Sequence, residues 1–83
     1  MATVLLESGT TADQSPTVVL ADGASANLIM VGNGTIQIQI ASASGYVTAG
    51  YLDSQYPVKN IAGPGTYRVS RELTTVAVGV DRE

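Results

Sequence analysis

In residues 35–41 Ile36, Ile38 and Ile40 alternate with Gln37 and Gln39. A period of two predicts a strand with one buried face, and stiff β-branched side chains suit a pleated surface. Just before it, Asn33-Gly34 supplies two residues that tolerate positive φ, which predicts a type I′ hairpin turn. The partner strand is then the apolar run Leu28-Ile29-Met30-Val31. This run does not alternate, so its outer face is expected to meet another sheet or another subunit. The stretch 28–41 (LIMVGNGTIQIQIA) is the hairpin around which the other strands are placed.

The same reading gives further strands on either side. Residues 3–8 (TVLLES) form a first strand, 9–15 (GTTADQS) a polar loop, and Pro16 opens an edge strand over 17–21 (TVVLA). Asp22-Gly23 is a second turn. After a short break at 42–45, Tyr46-Val47-Thr48 favour strand, and Gly50 marks a bulge or a close backbone approach. Residues 53–55 read as a turn, 56–61 (YPVKNI) as an edge strand, and 62–65 (AGPG) as a loop. Residues 66–71 alternate, with Tyr67 and Val69 facing one way and Arg68 and Ser70 the other. Residues 73–80 carry Val76, Val78 and Val80 in alternation, before the charged tail Asp81-Arg82-Glu83. No segment has a helical period. Seven to eight short antiparallel strands in one domain, 1–83, predict an all-β fold, a small β-sandwich (jelly-roll-like or Ig-like) or a barrel.

Composition narrows the function. The chain has no histidine and no cysteine. It therefore lacks the commonest general base and transition-metal ligand, every Ser-His or Cys-His nucleophile, and any disulfide. It is read as a non-enzyme with no cofactor. Charged residues make up 13% of the chain, about half the roughly 25% of ordinary soluble domains. So little charge implies a surface partly covered by copies of itself or by a partner; the alternative is a surface rich in Ser and Thr. The net charge of −3, with only Lys59, Arg68, Arg71 and Arg82 basic, argues against nucleic acid. No run approaches the roughly 18 apolar residues of a membrane span. The start, MATVLLE, has no positive n-region and is not expected to be a secretion signal. The protein is expected to be made in the cytoplasm and to stay there or leave inside an assembled particle.

Candidate sites are few. Tyr46, Tyr51 and Tyr56 stand five apart and are three of the four aromatic residues. They form either a platform for a partner or a sugar ring, or packing at strand ends in a core without Phe or Trp. Asp13, Asp22 and Asp53 lie in predicted loops without calcium-loop spacing and read as turn residues. The acids are scattered singly, which gives no paired carboxylates for hydrolysis. Arg68 and Arg71, beside Glu72, are either solvated charges that discourage edge pairing or contacts to a carboxylate on a neighbour. Met30 reads most simply as core filler.

Two segments carry a family resemblance: PTVVLADGASANLIM leading to the Asn-Gly turn, and the closing GPGTYRVSRELTTVAVGVD. In this order they resemble the small virion proteins of tailed bacteriophages, particularly capsid decoration (cement) proteins and the small β-domains of tail components. The resemblance implies a multicopy structural protein of the virion. Small oligomers, trimer before dimer, would bind the major capsid protein and clamp neighbouring shell subunits. The intersubunit surface is expected at 28–31, with Leu28 and Met30, or at Val4–Leu6. Changing Leu28 and Met30 to Asp is then expected to dissociate the oligomer and leave β-rich monomers. A second reading is a tail or fibre module that binds a receptor, a glycan or a tail partner through its tyrosine-bearing loops.

Overall fold

The protein was analysed as a computed structural model that describes residues 3–83. Met1 and Ala2, at the head of the segment read as no secretion signal, lie outside the described residues. The strands follow from alternation: Ala26, Leu28, Met30, Ile36 and Ile38 are buried, whereas Asn27 and Val31 are exposed. Nine strands run through the described residues: β1 (Thr3–Gly9), β2 (Asp13–Gln14), β3 (Val18–Leu20), β4 (Ser25–Val31), β5 (Thr35–Ser42), β6 (Gly45–Asp53), β7 (Val58–Ala62), β8 (Gly65–Arg71) and β9 (Val78–Arg82).

They form two antiparallel sheets. The four-stranded sheet has the order β1-β9-β4-β7, and the five-stranded sheet the order β2-β8-β5-β6, with β3 also on β8. β2 pairs with Arg71 and Ser70, and β3 with Tyr67, Thr66 and Gly65, so the two are pieces of one edge interrupted at Ser15-Pro16. Ser15 bridges the gap: its N–H donates to the Val69 carbonyl (2.9 Å) and its Oγ accepts from the Val69 N–H (3.0 Å). With β2 and β3 counted as one strand, the order is that of an eight-stranded jelly roll. Every link crosses between the sheets except the β5–β6 hairpin. The core between the sheets is aliphatic, with Leu6, Val18, Leu28, Ile36, Ile38, Leu52, Val69, Val78 and Val80 among its members. Tyr67 packs against its margin and donates its hydroxyl to the Ala62 carbonyl (2.8 Å).

This topology corrects the predicted centre. β4 and β5 are not a hairpin; they lie in opposite sheets, and residues 32–34 turn a corner between them. Gly32, at φ 96°, takes the left-handed conformation there, and among the described residues no non-glycine residue has positive φ, so Asn33 does not form a type I′ turn. A side chain at Gly32 would also strike the Ala77 carbonyl. Asp22-Gly23 does turn, with Gly23 at φ 83°, but it too joins strands of different sheets. The predicted break at 42–45 is the real hairpin, where Ser42 pairs with Gly45 and Ser42 Oγ donates to the Gly45 carbonyl (2.6 Å). The strand predicted over 73–80 begins only at Val78. The chain must cross from one sheet to the other after Arg71, and the crossing leaves Leu73 79% and Val76 50% exposed.

Candidate interaction surfaces

Arg68 and Arg71 stand three apart on β8, so they point to opposite faces of the sheet. Arg71 points inward with Val69 and is only 4% exposed. Its Nε donates to the Thr11 carbonyl, and one terminal nitrogen donates to the carbonyls of Glu7 and Val78, all at 2.7 Å. It ties β1, the following loop and β9 to β8 through backbone oxygens. Arg71 is thus corrected from a candidate partner contact to an internal staple. Leu28 and Met30 are corrected in the same way. They are 0% and 6% exposed inside the sandwich and cannot touch a partner while the chain is folded.

Arg68 points outward, and around it the five-stranded sheet carries a connected polar face. The guanidinium lies over the Tyr46 ring, 3.8 Å from its centroid. Its Nε donates to Gln39 Oε1 (2.7 Å), Gln39 Nε2 to Gln37 Oε1 (2.6 Å), and Gln37 Nε2 to Thr48 Oγ1 (2.9 Å). Arg68 and Thr48 both pair with Gln39 in the register, Gln37 lies two residues along β5 from Gln39, and Gln37 reaches Thr48 on the diagonal. Tyr51 stands opposite Gln37 and is 52% exposed. Beside it a hollow of about 140 Å³ is lined by Thr35, Gln37, Tyr51, Ser70 and Glu72.

A bulge makes this face possible. Strict alternation would send Tyr46 and Tyr51, five residues apart, to opposite sides of β6. Ile38 pairs with Gly50 and Gln39 with Thr48, which leaves Ala49 as an extra residue. The insertion restores both tyrosines to the outer face, beside the Gly50 that predicted it. Tyr56 does not join them on the sheet. It follows the turn in which Asp53 Oδ1 accepts from the N–H groups of Gln55 (2.9 Å) and Tyr56 (2.8 Å), and it is 66% exposed. None of the three tyrosines belongs to the aliphatic core.

The outer face of the four-stranded sheet is different. One row crosses all four strands, Val4–Asp81–Ile29–Val58, and Val31 stands two residues along β4. Val4 is 59% exposed and Val58 54%. Asp81 is the single charge in that row. Sequence reasoning had placed Val4 at an intersubunit surface but missed Val58, because the weak segment around Pro57 gave no sign of which face its valine would occupy. It also passed over Gln37 and Gln39, although their alternation with the isoleucines had already put them on an outer face. Compared with known protein families, with curated proteins and with solved structures, the chain matches none.

Proposed function

We propose that the protein is a non-enzymatic structural component of a virion, a capsid decoration protein that assembles into small oligomers and clamps neighbouring shell subunits. The observation that supports this reading is the row Val4–Asp81–Ile29–Val58, with Val4, Val58 and the neighbouring Val31 exposed, on a chain with few charges. A contiguous apolar patch on a sheet face gains free energy when covered, at about 25 cal/mol per Å² removed from water. The jelly-roll strand order recurs in capsid and lectin domains; this is an analogy of architecture and assigns no activity. Each copy needs only a modest interface where many copies act on one shell. Asp81 in the middle of the row favours a trimer over a dimer. A two-fold contact would set this row, and its aspartate, against itself, whereas a three-fold contact sets it against a different surface.

Light scattering over a concentration series tests the assembly. The wild-type chain is expected to give a concentration-independent oligomer, and Val4→Asp with Val58→Asp a monomer with unchanged circular dichroism. A wild-type monomer, or an oligomer that survives the double change, overturns the interface. Quantifying the chain in purified particles tests the setting, since only a decoration role demands many copies per particle.

A further inference from the structure

We propose that the outer face of the five-stranded sheet binds a neutral saccharide, with one sugar ring in the hollow between Tyr51 and Glu72. Four observations converge on this ligand. The hollow, about 140 Å³, is smaller than a drug-sized pocket of roughly 300–1,000 Å³, which suits a single small ring. Tyr51 is among its lining residues, an aromatic side chain of the kind on which the C–H face of a pyranose packs. The rest of its lining is amide, hydroxyl and carboxylate, which is what a ligand made of hydroxyl groups requires.

The fourth observation is the fixed side-chain relay. Arg68, stacked on Tyr46, holds Gln39, which holds Gln37, which donates to Thr48. In that relay each glutamine uses one N–H and one carbonyl lone pair, and each keeps one of both. Two adjacent planar amides, each with a free donor and a free acceptor, match the vicinal hydroxyl pairs of a sugar. Because the relay holds them, little rotamer freedom is lost on binding. Glu72 at the rim accepts hydrogen bonds from hydroxyls and repels a carboxylate, so the ligand is neutral rather than a uronic or sialic acid. A protein partner fits less well. Protein interfaces have an apolar centre, whereas this hollow is lined by polar side chains and Tyr51, with the exposed Val19 of the same sheet outside its lining. The inference is independent of the assembly proposed above: the apolar face can seat the molecule while the polar face looks outward.

The test is an NMR titration of the ¹⁵N-labelled full chain with cello-, malto-, manno- and chito-oligosaccharides at millimolar concentration. At least one of these probes is expected to shift the side-chain amides of Gln37 and Gln39 and the backbone of Tyr51 saturably. Tyr51→Ala is expected to weaken that binding about tenfold with the spectrum otherwise preserved, as suits an exposed side chain. Gln37→Ala is expected to weaken it similarly, and Val4→Asp, on the far edge strand of the other sheet, to leave it unchanged. The proposal is overturned if no probe shifts these signals, if Tyr51→Ala binds as well as wild type, or if the shifts map to the four-stranded sheet. Broadening of Tyr51 and Gln37 by self-association alone, without any response to saccharide, would assign the face to protein contact and overturn it equally.

Discussion

Each sheet has an outward row that crosses four strands. On one it reads Val4–Asp81–Ile29–Val58, and on the other Gln14–Ser70–Gln37–Tyr51. Both sheets bury their inner sides in one aliphatic core, so folding does not dictate the difference between the rows. The first row has little to hydrogen-bond with and leaves aliphatic surface in water, so its free energy falls when any complementary surface covers it. The second row is polar, and its Gln37 is held by the relay through Gln39 and Thr48; a ligand must match its donors and acceptors. The difference teaches that two sheets closing on one core can present opposite outer chemistries, one aliphatic and one of fixed hydrogen-bonding groups.

The sharpest way to break this comparison is to place one charge on either side of the four-stranded sheet. Leu28→Asp puts a carboxylate inside the sandwich at a position with no exposure. The cost, several kcal/mol, is comparable to the roughly 5–15 kcal/mol that holds a small domain together, and loss of the β-sheet circular dichroism signal and of NMR dispersion is expected. Val58→Asp on the outer side should change stability by no more than about 0.5 kcal/mol. A folded Leu28→Asp chain that merely dissociates would restore Leu28 to the interface and contradict the buried position.

That pair of substitutions also marks what the sequence could tell. The strands, the sandwich and the outward direction of Arg68 were legible from alternation, because burial on one face imposes period two whatever the topology. The hairpin at Asn33-Gly34 was misread for a reason visible in the residue numbers. A two-residue turn there would set Met30 opposite Gln37 and Val31 opposite Ile36. The buried residues of both strands are even-numbered, so that register would place Gln37 beside Met30 in the core. Turn residues report that the chain bends; they do not report whether the next strand stays in the same sheet. The grouping of Tyr46 with Tyr51 was hidden too, since it depends on the extra residue at Ala49, and only pairing with β5 reveals it. Arg71 was legible in direction, being in step with Val69. Its burial was not, because the carbonyls that receive it come from β1, the loop after it and β9.

A second test compares the two directions of β8. Arg71→Met keeps the length of the side chain and removes its three hydrogen bonds, leaving the carbonyls of Glu7, Thr11 and Val78 without that donor. Hydrogen bonds to charged groups contribute about 1.5–3 kcal/mol each and act here as one unit, so a loss on the order of 3–5 kcal/mol in urea unfolding is expected. Hydrogen exchange should quicken first in β1, an edge strand whose register on β9 is already interrupted by two irregularities. A change below about 1 kcal/mol would mean that backbone and water satisfy those carbonyls without the arginine.

The smallest effect belongs to the outward arginine, and its smallness is what makes it informative. Arg68→Ala removes a partly exposed stack on Tyr46 and one hydrogen bond to Gln39. Stability should fall by only about 0.5–1 kcal/mol, the range of an exposed cation–π pair. The relay would then lose its fixed end: Gln39 regains rotamer freedom, and Gln37 loses a neighbour held in place. If the polar face is a binding surface, saccharide affinity should drop two- to threefold, roughly the effect of 0.5 kcal/mol, although Arg68 does not line the hollow beside Tyr51. Unchanged affinity with the same small stability loss would separate the arginine from the glutamines and confine recognition to the hollow. A stability loss as large as that of Arg71→Met would mean that the relay braces the sheet, and the contrast between the two faces would lose its basis.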